Sequence, residues 1–177
     1  MAAIIFAFHQ SLDGFVDHQK LGPPDPVVFD HFVEMTRTLD GFLYGGRMYE
    51  IMRYWDEDRE DWGSQELEFA AAWRSKPKWV VSRSLSSVGP NATLLAGDPE
   101  SAIRKLKATS SGQIFVGGPR LAQVLTNAGL INEYRVYLRP VVLGSGRCAF
   151  DGPTPRLQLR ALDRIGPDVA RLTYVPA

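Results

Sequence analysis

Cysteine is nearly absent: Cys148 is the one thiol in 177 residues. A single thiol excludes an internal disulfide, so the chain must hold its fold by packing alone. Histidine is scarce too. His9, His18 and His31 are the three, and no two stand at the helical spacing that pairs metal ligands, so no metal site is expected. The same shortages leave no local Cys–His nucleophile signature, and no serine stands in a nucleophile elbow. Neither sign of charge is in excess. Lys+Arg number 20 and Asp+Glu 20, which argues against a nucleic-acid surface or any partner recruited by bulk charge. No apolar run approaches a membrane span. The first residues, Met1 to Phe8, carry no basic leader and turn polar at His9-Gln10. They read as a first strand rather than a signal peptide. The expectation is a cytoplasmic protein with neither membrane nor nucleic acid as partner.

What is present is apolar content and glycine punctuation. Hydrophobic residues make up 45% of the chain, enough for a sizeable core, and the length fits one domain over 1–177. The most informative stretch runs from Ile114 to Leu125. Three apolar residues lead into Gly117-Gly118, and Pro119 opens an amphipathic segment through Arg120 and Leu121. The pattern is a buried strand, a glycine turn and a helix start. Such a start offers free backbone N–H groups at the positive end of the helix dipole, where a phosphate sits. Glycine lets the backbone approach a ligand, and proline forfeits no hydrogen bond at the first helical position. The same pattern also describes an ordinary short loop, so the rest of the chain must decide.

Residues 2–9 form an apolar strand. Ser11 to Asp17 make a loop, followed by the proline-rich Gly22 to Pro26. A helix fits 26–39, with Val28, Phe32, Met35 and Leu39 on one face and Phe29, Val33 and Thr36 beside it. Residues 41–44 are a short strand ended by Gly45-Gly46, and Arg47-Met48 start a helix, so the strand–glycine–helix junction occurs twice. Tyr54 to Asp61 is an acidic, solvated loop. Ser64 caps a helix reaching Trp73, with Leu67, Ala70 and Ala71 inward. Residues 78–82 and 91–96 are strands, and Asp98-Pro99-Glu100 is a helix start running to Lys107. The helix after Pro119 stops at Gly129. Residues 133–143 alternate as one long strand. Leu157–Ile165 and Val169–Val175 form a hairpin about Gly166-Pro167-Asp168. Strand–helix alternation followed by antiparallel strands predicts an α/β fold, a mixed, mostly parallel sheet with helices on both faces.

Seven segments together resemble a known family. They are Ser11-Leu-Asp-Gly14, Leu43 to Glu50, Tyr54-Trp55, Lys78 to Arg83, Ile114 to Gly118, Gly129 to Tyr137 and Pro140 to Gly146. The chain is similar to the dihydrofolate-reductase-like fold, in the branch of the riboflavin-biosynthesis reductase domain and its stand-alone bacterial homologues. The resemblance implies a three-layer fold with about eight strands that binds NADPH across the C-terminal strand ends. It places phosphate on Gly45, Gly46, Arg47 and Met48, and on Gly117, Gly118, Pro119, Arg120 and Leu121. Ser82, Arg83 and Ser84 would meet the adenosine 2′-phosphate, for which a guanidinium fork is suited. Arg47 and Arg83 also read as plain surface arginines. Asp13, in the loop over the nicotinamide position, would orient substrate or steer a proton; alternatively it is a turn aspartate bonding its own backbone. Asp30 lies on the helix that carries the acidic substrate residue in dihydrofolate reductases, although Phe29 competes for that register and a solvated Asp30 is the plainer reading. Trp55 walls the substrate pocket or simply packs.

Two positions depart from the branch. Val116 stands where riboflavin reductases carry glutamate before the glycine pair, which unsettles a riboflavin-pathway substrate. Met48 replaces a threonine, removing a hydroxyl contact to cofactor phosphate. No deaminase-like zinc domain accompanies the reductase half. The expected activity is NADPH-dependent hydride transfer to a pyrimidine- or pterin-like small molecule, similar to 5-amino-6-(5-phosphoribosylamino)uracil reductase. The alternatives are a non-catalytic NADPH-binding protein of this fold, a dihydrofolate reductase, and a dimer module in which the strand from Tyr134 to Leu143 pairs across a two-fold. A homodimer is expected with any of these.

Overall fold

A computed structural model describes residues 1–95, 97–150 and 152–177. Its strands are β1 (Ala3–Gln10), β2 (Gly41–Gly45), β3 (Lys78–Val81), β4 (Ala92–Leu95), β5 (Gln113–Gly117), β6 (Glu133–Leu138), β7 (Leu157–Ile165) and β8 (Val169–Pro176). Its α-helices are α1 (Pro26–Thr38), α2 (Gly46–Met52), α3 (Ser64–Ser75), α4 (Pro99–Thr109) and α5 (Pro119–Asn127), with a 3-10 turn at Arg53–Trp55. The strands form one sheet in the order β4-β3-β2-β5-β1-β6-β8-β7. The six strands β1 to β6 are parallel, and β8 runs antiparallel to both β6 and β7. The mixed, mostly parallel sheet with a C-terminal hairpin is therefore the architecture that the alternation pattern predicts.

Period-2 alternation sends each strand's side chains to two different helical layers. Ile4, Phe6, Leu43, Ile114 and Val116 pack with Ile103 of α4 and with Leu121 and Leu125 of α5. On the other face, Phe42, Tyr44 and Val80 meet Tyr49 of α2 and Trp73 of α3. Ile5, Ala7 and Tyr137 meet Val28 of α1 on that same side. The chain leaves β1 toward β2, whereas from β5, which lies beside β1, it crosses to β6 on the far side. Connections from two adjacent strands thus diverge. In open α/β sheets that divergence opens a crevice at the carboxyl ends of the strands.

Five sequence expectations are corrected. Within α3, Ala70, Ala72 and Trp73 are buried, while Leu67 is 42% exposed and Ala71 is exposed. The fully buried Trp73 indole, not the aliphatic residues, sets the helix's rotation. Its cap is Gly63, whose N–H donates to Glu66 Oε2 at 3.1 Å, rather than Ser64. On α1, Val33 and Thr36 are buried where Phe32 was expected to be, and Phe32 lies half-buried against His9.

The strand expected over 133–143 ends at Leu138. Pro140 has no N–H to continue the ladder, Val141 N–H folds back onto the Arg139 carbonyl at 2.8 Å, and Val142 is exposed. Moreover β6 is flanked by β1 and β8, so it has no free edge with which to pair across a two-fold. The strand expected over 91–96 spans Ala92–Leu95, and its end at Ala96 lies outside the described residues.

Candidate active site

Three turns meet at the carboxyl edge of the sheet. After β2, Gly45 precedes α2 in an extended conformation, and no side chain caps that helix. After β5, Gly118 takes φ 107° and precedes α5, again without a side-chain cap. The φ value lies in the left-handed region, which explains the glycine. The two turns touch: a Cβ on Gly117 would lie 2.5 Å from the Tyr44 ring, and one on Gly118 would lie 3.5 Å from Met48 Cβ. The end of β3 joins them, since a Cβ on Gly46 would stand 2.7 Å from Ser82 Oγ. That hydroxyl accepts from the N–H groups of Ser84 at 3.2 Å and Leu85 at 3.1 Å.

The missing caps are selective. Asp25 and Asp98 side chains cap α1 and α4, and Glu66 closes α3. Among the described residues, α2 and α5 start at the glycine pairs that end β2 and β5, and no side chain caps their first N–H groups. Both helix ends carry positive dipole charge at one place, which suits a ligand with two adjacent phosphates. Arg47, Arg83 and Arg120 are exposed around it and form no ion pair among the described residues. By contrast, Arg37, Arg53, Arg74, Arg104, Arg135 and Arg171 all hold carboxylates. Val116 is fully buried beneath the turn, in the α4–α5 layer.

The loop after β1 forms the other wall. Asp13 Oδ1 accepts from Ser11 Oγ at 2.6 Å and from Leu143 N–H at 3.1 Å, and Oδ2 accepts from Gly144 N–H at 2.7 Å. The Ser11 hydroxyl, then the two amides, hold this carboxyl down to about 2. Asp13 is thus ionised at neutral pH and ties its loop to the segment after β6. Asp17 repeats the device, with Oδ2 accepting from Arg147 N–H at 2.7 Å. Nothing in the spacing of Asp17 marks it in sequence.

A depressed carboxyl lends its tie above the unfolded pKa and loses it as pH falls through the folded one. The Leu143 and Gly144 amide resonances are therefore expected to titrate with a midpoint near 2 and to be displaced at all pH in Asp13→Asn. Amides insensitive to both changes would dissolve the tie.

Asp30 is exposed, and its Oδ1 accepts from Gln65 Nε2 of α3 at 2.6 Å, so its partner is a helix rather than a strand end. Trp55 packs in an aromatic cluster, 5.0 Å from Trp62 and 4.8 Å from Phe69 between ring centroids. Trp55 also packs, with Met48, against the cluster that holds Tyr44 and Tyr49.

Two side chains at the edge escaped the sequence reading. His9 ends β1 on the α1 side, its ring 4.6 Å from Phe32 and 5.4 Å from Tyr137. Its Nδ1 is buried with no hydrogen-bond partner. Burial first, then the Arg139 charge, lowers its pKa to about 4. Arg139 follows β6 and is 8% exposed. An isolated histidine in an apolar strand carries no spacing signal. An arginine directly before the Pro140 that ends the strand was the available cue.

The fold is thus an open, mostly parallel α/β sheet with paired, uncapped glycine turns at its carboxyl edge. The chain belongs to the RibD C-terminal domain family, whose pattern matches residues 2–171. The Bacillus subtilis (strain 168) protein YyaP is 29% identical over 164 residues, 90% of this chain and 86% of its own. Among solved structures, a putative riboflavin biosynthesis protein from Shewanella sp. PV-4 superposes with TM-score 0.77 at 21% identity, covering 99% of both chains. The riboflavin biosynthesis reductase of Saccharomyces cerevisiae superposes with TM-score 0.60 at 16% identity, covering 99% of this chain and 90% of its own. No helix among the described residues is long and apolar enough to cross a membrane.

Proposed function

We propose that this chain is an NADPH-dependent reductase that delivers a hydride to a C=N bond, or to a ring-opened sugar imine, of a pyrimidine- or pterin-like substrate. The observation that carries this reading is the meeting of two uncapped helix starts at one edge of a RibD C-terminal domain. The backbone N–H groups of Arg47-Met48 and Arg120-Leu121 would hold the pyrophosphate, with the Met48 N–H serving where a hydroxyl is missing. Arg83, beside Ser82 and Ser84, would take the 2′-phosphate. Bound NADPH would supply the hydride; the chain's own residues bind, orient and exclude water. The reductase named among the structural neighbours supports the reaction class. A homodimer is part of the proposal, checked by a sedimentation mass of about twice 19.7 kDa.

A ligand that selects the folded state raises the melting temperature by mass action, about 2.7 kcal/mol at a hundred times its Kd. NADPH is expected to raise it more than NADH, and Arg83→Ala is expected to erase that preference. No shift from either nucleotide at millimolar concentration would sink the cofactor assignment.

A second reading has one observation in its favour. Asp13 is ionised and committed to the loop after β6, and Asp30 is engaged with Gln65, so neither is a spare proton donor. The protein would then bind NADPH without turnover. Tight binding with no NADPH oxidation across a panel of pterins and aminopyrimidines would favour it.

A further inference from the structure

β3 and β4 are parallel neighbours, yet no helix joins them. Such crossovers usually carry a helix, whose own ladder of hydrogen bonds keeps it in shape. Here residues 82–91 return from the carboxyl edge to the amino edge as irregular chain. Other ties must therefore fix their path. At the start, Ser82 Oγ accepts from the N–H groups of Ser84 and Leu85 and closes a local turn. At the end, the Asn91 carbonyl accepts from Lys78 N–H at 2.9 Å. Between them, Gly89 N–H donates to the Tyr49 hydroxyl of α2 at 2.7 Å. Among the described residues, no other hydrogen bond joins 83–90 to a strand or helix.

The packing holds that hydroxyl in place. Tyr49 is 2% exposed and packs with Tyr44, Trp73 and Val80 between the sheet and its helices. Leu85 and Val88, the apolar residues of the loop, pack on the same cluster. Glycine at 89 permits the close approach, since a Cβ there would stand 3.3 Å from the Tyr49 hydroxyl and 3.5 Å from Asp56 Oδ2. The loop is thus anchored at both ends and once between, while Arg83, Ser84, Ser86 and Ser87 are exposed. Arg83 forms no ion pair of its own among the described residues. Where its guanidinium stands depends on the turn that carries it, and the course of that turn depends on the Tyr49 tie.

We propose that Tyr49 is a positioning residue for cofactor selection: its hydroxyl fixes the 82–89 loop so that Arg83 is placed for an adenosine 2′-phosphate. This rests on the NADPH-dependent reading and adds to it a residue too buried to touch the cofactor. Because Tyr49 belongs to α2, the Arg47-Met48 turn and the Arg83 turn are both fixed to one helix. A guanidinium ordered in advance loses less freedom on binding than one on an untied loop. Untying the loop should therefore weaken the nucleotide that carries the 2′-phosphate and spare the one that lacks it.

The test compares the full chain with Tyr49→Phe, which keeps the buried ring and removes the hydroxyl. Calorimetry is expected to show NADPH binding weakened about fivefold or more, with NADH binding within about twofold of the parent. In an Arg83→Ala background the same substitution should leave NADPH affinity unchanged, because the two residues act through one contact. Hydrogen exchange gives a readout without nucleotide. In the unmodified protein the Gly89 amide should exchange more slowly than those of Ser86 and Ser87, and Tyr49→Phe should remove the difference while leaving the β1 amides as they were. NADPH and NADH weakened by the same factor would make Tyr49 a packing residue only and overturn the proposal. So would a Gly89 amide unprotected in the parent, or a preference for NADPH kept in full by Tyr49→Phe. Binding of neither nucleotide by the parent would bring down the cofactor reading and the positioning role together. That result is distinct from failure of the positioning role alone, in which the parent still prefers NADPH.

Discussion

Gly117→Ala is expected to lose both stability and nucleotide affinity, although it adds one methyl group. The new Cβ would lie 2.5 Å from Tyr44 Cδ1 and 3.1 Å from Met48 Cγ. Tyr44 cannot step aside. It is 1% exposed, stacks on Phe42 at 5.5 Å, and its hydroxyl accepts from Trp73 Nε1 at 3.0 Å. The β5 turn must therefore move instead, and it carries the first N–H groups of α5 away from those of α2. Overpacking of this kind costs about 1–3 kcal/mol, and the displaced turn should weaken NADPH by tenfold or more. Urea melts and a nucleotide titration read the two effects. In a double-mutant cycle, Tyr44→Leu should recover part of the loss, because the two residues collide directly. An unchanged midpoint and unchanged affinity in Gly117→Ala would mean that the turns do not pack as described.

Trp73→Ala should produce the largest loss of stability. The indole is wholly buried, and truncating such a residue costs about 3–5 kcal/mol. For a chain of this length that lowers the melting temperature by about 10 °C. Two polar groups lose their partner at the same time. The Tyr44 hydroxyl loses its donor, and the Lys78 ammonium, 4.0 Å above the ring, loses its aromatic face. Burial already lowers Lys78 to about 8. Trp73→Phe keeps much of the area and the aromatic face but not the N–H, so its smaller loss isolates the hydrogen bond, at about 1–3 kcal/mol for a buried group left unsatisfied. A calorimetric melt within a degree or two of the parent for Trp73→Ala would contradict the central place given to this side chain.

These two residues also mark where sequence was sufficient and where it was not. Gly117 announces itself, because an apolar run into Gly-Gly-Pro has few structural meanings, and its counterpart at Gly45-Gly46 repeats the signal. Such punctuation and the strand–helix alternation were enough for a mixed sheet with helices on both faces, whereas the joint role of the two turns came from the family resemblance. Trp73 was harder. Leu67, Ala70 and Ala71 make an acceptable helical stripe, and only the packing shows that one large aromatic outweighs them. The end of β6 was written in Pro140 yet hidden by three apolar residues after it, which solvent exposure at Val142 shows to be a rim rather than a core. His9 and Arg139 were invisible for a different reason. His9 matters because its Nδ1 is buried without a partner, and an absence is a property of three-dimensional surroundings.

The carboxylates of Asp13 and Asp17 grip the main chain at Leu143, Gly144 and Arg147, not the side chains there. The side chains of Val142, Ser145 and Arg147 are left pointing into solvent at the mouth of the crevice. At Leu143 and Arg147 the grip needs only the amide, whereas Gly144 holds φ 72°, a conformation that favours glycine. The exposed side chains of this rim can therefore change without loosening the tie that holds it, and a protein engineer seeking new substrates can randomise Val142 and Ser145 first.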